Sequence, residues 1–199
     1  MEKMKLLGVS ASPSADSKTL LALTAAVAHV RWRYDDVATD VINLRDLDMA
    51  FCDGRDPDRY EGDTRVVIDT VVAADALIIA TPMYRGSYTG ILKNLVDVLP
   101  NDALQGKPVG LIASGGSDHH FLAVEHQLKP LIGFFYGHPI PGAVYLNNDH
   151  FAAGRLADPG IIDRLAQLVD AVVEFARRVP RTVVGADRPT ITRKTLAET

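Results

Sequence analysis

The run Ala76–Ala80 (ALIIA) carries no polar side chain, yet it is short and bounded by Asp75 and Thr81. A segment of this length cannot cross a bilayer, which takes roughly 20 apolar residues. As a strand it must be buried on both faces, the situation of a central strand in a parallel sheet. Similar short runs recur along the chain, and between them lie stretches whose apolar residues fall at helical spacing. That alternation is the pattern of βα units wound around a parallel sheet.

Met4–Ser10 (MKLLGVS) reads as the first buried strand, and Ser17–Arg33 as a helix with Leu20, Leu23, Ala26, Val27 and Val30 on one side. Val37–Leu44 alternates and suits a strand nearer an edge, while Leu47–Glu61, rich in Asp, Gly and Pro, reads as a long loop. Thr64–Ala74 is the next helix and Ala76–Thr81 the clearest central strand. Gly90–Leu99 is a helix stopped by Pro100, and Lys107–Ser114 the fourth strand. Phe121–Phe135 continues as a helix that Pro130 should kink or divide. Ile140–Leu146 is the fifth strand and Pro159–Val179 a long amphipathic last helix. Residues 1–179 thus form one domain, and the aperiodic residues 180–199 are a tail or an arm that packs on another subunit.

Right-handed crossovers place the helices on both faces of this five-stranded, doubly wound parallel sheet. The expected strand order is 2-1-3-4-5, with a ligand site at the carboxyl ends of the strands beside the switch point between the first and third. The loops after Ser10, Thr81 and Ser114 converge there.

Composition excludes several alternatives. A single cysteine, Cys52, rules out a disulfide scaffold, and it sits in a polar loop with no evident base partner. A net charge of −4 argues against nucleic acid, whose phosphates call for a clustered basic face. No apolar stretch adequate for a signal peptide follows the two lysines of Met1–Gly8. The expectation is a cytoplasmic protein that binds neither nucleic acid nor membrane.

The first loop, Ser10–Thr19 (SASPSADSKT), runs directly into a helix. Backbone N–H groups and the helix dipole favour an anion there. The hydroxyls of Ser10, Ser12, Ser17 and Thr19 and the ammonium of Lys18 are suited to phosphate oxygens. The glycines of a Walker A or dinucleotide fingerprint are absent, and a Ser-rich helix cap that binds nothing would look similar. The second loop, Thr81–Gly90 (TPMYRGSYTG), combines Pro82, two aromatics, Arg85 and Gly86 at the end of the most buried strand. Its backbone can pair with the edge of a flat heteroaromatic ring while Met83 or Tyr84 lines the apolar rim, and Arg85 can meet negative charge. Lys93 and Asp97 downstream read as a surface i,i+4 pair. In the third loop, Ser114–His120 (SGGSDHH), Gly115 and Gly116 let the backbone approach a ligand closely. The adjacent histidines, with no second ligand cluster, do not make a metal site.

Together these three stretches resemble the NAD(P)H-dependent FMN reductase family. Within it, Pro82–Pro100, ALQGKPV and FLAVEHQLKPL are similar to the alkanesulfonate and methanesulfonate-utilisation FMN reductases. The resemblance implies a flavodoxin-like fold. It also implies an FMN phosphate on Ser10, Ser12, Ser17, Lys18 and Thr19. The isoalloxazine ring would lie against Pro82, Met83, Tyr84, Arg85 and Gly86, with Ser114, Gly115 and Gly116 at its other edge. Ser12 stands where many members carry Arg, and His126 stands where the alkanesulfonate reductases carry Tyr in a helix used for subunit association.

The implied reaction is hydride transfer from NADPH or NADH to flavin N5, which demands ring stacking and stabilisation of the reduced flavin rather than an acid–base pair. Tyr84 and Arg85 are the catalytic candidates. Reduced FMN would then leave for a separate flavin-dependent monooxygenase. Two other readings use nearly the same residues: a quinone or azo reductase that keeps its FMN tightly bound, and an electron carrier without reductase activity. A carrier needs a strongly acidic docking face, which −4 over 199 residues does not supply. The helices Thr89–Leu99 and Phe121–Phe135 are apolar enough either for burial within the domain or for an interface, and the resemblance implies a homo-oligomer, a dimer or a tetramer built of dimers.

Overall fold

The computed structural model describes residues 3–180 and residue 186. The proposed tail, residues 180–199, lies outside the described residues except for its first residue and Ala186. Strands β1 (Met4–Ser10), β2 (Val37–Asn43), β3 (Ala76–Pro82) and β4 (Pro108–Ser114) form a parallel sheet in the order β2-β1-β3-β4. β3 and β4 are buried at every residue, which is why they read as unbroken apolar runs. β2, at the edge, is largely half-exposed and alternates.

Helices α1 (Lys18–Arg33), α2 (Gly62–Ala73), α3 (Gly90–Val98), α4 (Lys129–Phe134) and α5 (Pro159–Arg178) complete the fold. Side-chain alternation along each strand divides the core between two faces. Leu7, Leu77, Ile79 and Leu111 meet Val67, Val71, Leu92 and Leu95 of α2 and α3 on one side. Leu6, Ile78 and Ile112 meet Leu23 and Val27 of α1 and Leu168 and Val172 of α5 on the other. Each such aliphatic side chain contributes about 1.5–3 kcal/mol on burial. Gly110 lets α5 lie against the sheet, since a Cβ there would stand 2.9 Å from Val172 Cγ2.

Caps set the helix starts as the sequence leads one to expect. Ser17 accepts from the Leu20 N–H at the head of α1, Thr89 from Leu92 at α3, and Asp158 from Ile161 at α5, where Pro159 takes the first turn.

Two elements differ from their sequence reading. The fifth strand is two short pieces, β5 (His138–Pro139) and β6 (Val144–Leu146), both paired in parallel with β4. Pro139 and Pro141 lack the N–H that a continuous ladder needs, and Gly142 turns the chain at φ 81°. The helix expected over Phe121–Phe135 is divided beside Pro130, as anticipated, but its first half is not an α-helix. A π-turn spans Val124–Leu128, and α4 begins only at Lys129, with Pro130 in its first turn where its missing N–H costs nothing. A short 3-10 turn at Leu44–Asp46 precedes the long loop, and a second lies within it at Pro57–Arg59. A feature with no sequence counterpart is the antiparallel hairpin β7 (Phe151–Ala152) and β8 (Arg155–Leu156), which precedes α5.

Candidate active site

The carboxyl ends of β1 and β3 are level, with Ser10 opposite Ala80, and the crossover direction reverses between them. The loops that leave these strands and β4 are tied to one another by hydrogen bonds. Thr89 Oγ1 donates to the Ala11 carbonyl at 2.7 Å, joining the second loop to the first. The Met83 N–H donates to the Ser114 carbonyl at 2.7 Å, joining second to third. The Thr19 and Ser114 hydroxyls lie 2.7 Å apart, joining first to third. Arg45 Nε braces the first loop from outside through the Pro13 carbonyl at 3.1 Å.

These loops surround an open cleft of about 420 Å³, within the range of roughly 300–1,000 Å³ typical of small-molecule sites. Ser12, Ser17, Lys18, Thr19, Pro82, Met83, Tyr84, Ser114, Gly115 and Gly116 all line it. Ser10, Arg85 and Gly86 do not. Ser10 is fully buried beneath the first loop, and its hydroxyl has no hydrogen-bond partner among the described residues. Arg85 and Gly86 occupy the tip of a tight turn closed by two hydrogen bonds between Tyr84 and Ser87, with φ of 55° and 79°. That left-handed geometry carries Arg85 outward, to the exposed rim.

The third loop has little steric latitude. A Cβ on Gly115 would overlap Tyr145 Oη, while Gly116 faces open space. Tyr145 donates its hydroxyl proton to the Ser117 carbonyl at 2.7 Å. Burial, with Asp118 nearby, pushes this phenol above its ordinary range, so it remains a donor.

A fourth segment, absent from the sequence reading, completes the walls: Asn147, Asn148 and Phe151 line the cleft, as do Ser14, Asp16, Ser117 and His120. Asn147 Nδ2 donates to Asp118 Oδ1 at 3.0 Å, and Lys18 Nζ donates to Asn148 Oδ1 at 2.8 Å. The rule that directs attention to the ends of β1, β3 and β4 applies equally after Leu146, at the end of β6. That was the available signal. Among the described residues no group of three or more His, Cys, Asp or Glu is arranged to hold a metal. Cys52 lines a separate depression with Asp97, whose carboxylate pairs with Lys93 at 2.6 Å as the i,i+4 spacing indicates.

The cleft is chemically two-ended. Hydroxyls, a helix N-terminus and one ammonium gather at the α1 end, while Pro82, Met83 and Tyr84 supply an apolar and aromatic end. A ligand with a phosphate at one end and a flat ring at the other matches this donor set, and Gly116 leaves room for its edge. The fold and site define the class: a flavodoxin-like α/β protein with a two-ended cleft at the sheet's switch point. The chain belongs to the NADPH-dependent FMN reductase family, which it matches over residues 4–151, and its cofactors are accordingly FMN and NAD(P)H.

The chain is similar to an NAD(P)H-dependent FAD/FMN reductase of Geobacillus thermodenitrificans, at 40% identity over 86% of this chain and 93% of that protein. It is also similar to the NADH-dependent FMN reductase SfnF of Pseudomonas putida, at 32% identity over 86% of this chain and 92% of that protein. Among solved structures, an NADH:FMN oxidoreductase (EMOB, apo form) superimposes with TM-score 0.75 and 30% identity, covering 89% of this chain and 91% of the other. An archaeal flavodoxin shares the fold alone, with TM-score 0.60 at 12% identity, covering 88% of this chain and 100% of its own.

Proposed function

We propose that this reductase passes a hydride from NAD(P)H to N5 of FMN held in the cleft, and that reduced FMN then leaves for a separate flavin-dependent monooxygenase. The observation that carries this reading is the form of the cleft, anion-ready at α1, aromatic at β3, and open to solvent between. When bound, FMN would supply the hydride acceptor; the hydride brings one hydrogen with both electrons, and the single proton that completes FMNH2 comes from solvent. The chain's residues then have defined tasks. Ser12, Ser17, Lys18 and Thr19 receive the phosphate, with Ser10 supporting the loop from below. Pro82, Met83 and Tyr84 orient the ring, with Gly86 shaping the turn, while Ser114, Gly115 and Gly116 bound its far edge. Tyr84, half-exposed, is placed to cover the ring, and Arg85 lends positive charge from the rim.

The sulfonate branch of the family is the favoured setting, because Pro82–Pro100 and the segment through Pro130 resemble it most. The working unit is the single domain of residues 1–179, assembled as a homo-oligomer. Support for assembly is the exposure of Phe51, Phe121, Leu122 and Phe134 on one chain. No helix among the described residues is long and apolar enough to cross a membrane, in keeping with a cytoplasmic setting.

The test is NADPH oxidation at fixed enzyme with free FMN varied from zero, oxygen being the final acceptor. A rate that starts near zero and saturates with FMN supports a diffusing flavin. An appreciable rate from protein already yellow, without added FMN, replaces this reading with a bound-flavin quinone or azo reductase.

A further inference from the structure

Lys18 is the only Lys or Arg that lines the cleft among the described residues. In this chain Ser12 occupies a neighbouring loop position that offers a hydroxyl and no charge. Whatever anion the cleft takes must therefore rely on one ammonium, carried on a flexible four-carbon stem. Such a side chain loses up to about 2 kcal/mol of rotamer entropy when it is ordered. A residue that orders it beforehand strengthens its interaction with an anion.

The fourth wall does this. Lys18 Nζ lies 2.8 Å from Asn148 Oδ1 and 5.3 Å from the centroid of the Phe151 ring. Both partners are electrically neutral, so they hold the ammonium without compensating its charge. Among the described residues Lys18 has no carboxylate partner. The wall is itself rigid. Asn147 accepts from the Asp149 N–H at 2.8 Å, and His150 Nδ1 accepts from the Asn147 N–H at 3.0 Å. β6 anchors its start to β4. The Phe151–Leu156 pairing fixes its end, and two hydrogen bonds to the His150 carbonyl lead back to the cap of α5. Phe151 also packs against the α1–α5 side of the core.

We propose that Asn148 and Phe151 are positioning residues that hold the Lys18 ammonium at the cleft for an organic monophosphate, and so make the site select phosphorylated over unphosphorylated flavin. This rests on the FMN-binding reading above. It adds the residues that set phosphate selectivity, from a segment 130 positions away in sequence.

The experiment compares FMN and riboflavin binding by flavin fluorescence in the full-length wild type and in Asn148→Ala, Asn148→Asp and Phe151→Leu. The ratio of the two affinities isolates the phosphate contribution, and thermal melting of each variant confirms folding. Asn148→Ala should lower the FMN-to-riboflavin ratio about fivefold, the scale of losing order in one charge-assisted contact. Asn148→Asp should lower it further, about tenfold or more, because a carboxylate there neutralises Lys18 and repels phosphate. Phe151→Leu keeps apolar bulk but removes the ring face, and should lower the ratio about two- to threefold. Riboflavin affinity should stay within about twofold throughout. A ratio unchanged in Asn148→Ala and Asn148→Asp overturns the proposal, as does an equal loss of both flavins, which marks a purely structural role. A wild type that binds neither flavin and oxidises no NADPH with FMN present overturns the reductase reading itself.

Discussion

The hydroxyls of Thr19, in the first turn of α1, and Ser114, the last residue of β4, meet at 2.7 Å although 95 positions separate them in the chain. Both are buried and both line the cleft. The bond holds the first loop, proposed to take the phosphate, against the third, proposed to bound the ring. Thr19→Val or Ser114→Ala should each cost about 1–3 kcal/mol, because either strands a buried hydroxyl. The double substitution should cost less than the sum, with a coupling of about 1 kcal/mol measurable by urea unfolding. Strict additivity would show that the two hydroxyls do not support each other.

Gly115 and Tyr145 make a second interdependent pair, since a Cβ on Gly115 would overlap the phenol oxygen. Gly115→Ala should destabilise the protein by about 1–3 kcal/mol through overpacking and weaken FMN binding as the third loop is displaced. Adding Tyr145→Phe removes the overlapping oxygen. The double variant should therefore be more stable than Gly115→Ala alone. Failure of that partial recovery in thermal melting would remove the steric account.

Arg85 sits at φ 55°, a conformation unfavourable for most L-residues. Asparagine adopts it more readily, so Arg85→Asn keeps the turn while deleting the charge. Stability should hold or rise by a few tenths of a kcal/mol. The kcat should fall about tenfold if the guanidinium stabilises charge that develops on the reduced flavin. An unchanged kcat in steady-state NADPH oxidation takes Arg85 out of the catalytic set.

Lys107 is buried where β4 begins, and its ammonium donates to the Val71 and Val72 carbonyls at 3.0 and 2.7 Å, closing the end of α2. Burial lowers its pKa from 10.5 to about 8. Between those values the unfolded chain binds more protons than the folded one, so this group makes stability rise as pH increases from 8 towards 10.5. The stability of the wild type relative to Lys107→Met should therefore grow across that window, by on the order of 2 kcal/mol. Urea unfolding at pH 7.5, 8.5 and 9.5 reads it, and a flat or falling difference contradicts the assignment.

The central sheet and three of the cleft's four walls are legible in one dimension for a definite reason. A strand buried on both faces must be apolar throughout, as Ala76–Ala80 is, and a ligand at a switch point must touch the residues that follow such strands. Ser12, Met83 and Gly115 are found by that rule because each lies within a residue or two of a strand's end, and Lys18 because it opens the helix into which the first loop runs. Asn148 and Phe151 follow Leu146, which ends both the expected fifth strand and β6, but that strand is not at the switch point, and only the pairing of β6 with β4 brings them to the cleft. The run Ile140–Leu146 reads as one element, when only Val144–Leu146 carries the segment onto the sheet beside Ser114. The π-turn before Pro130 and the outward aim of Arg85 are likewise set by how several residues share one backbone path.

Sequence alone established the first four strands, the helices outside 121–135 and the make-up of the first three loops, from which the family resemblance followed. Each follows from a periodicity or a short stretch of contiguous residues. The tertiary structure decided which of those residues meet. It buried Ser10 below the loop, carried Arg85 to the rim, paired Thr19 with Ser114, and brought Asn148 and Phe151 to Lys18. Contacts of that kind depend on the distance between chain segments far apart in sequence, and only the packed sheet, with its register and crossovers, establishes that distance.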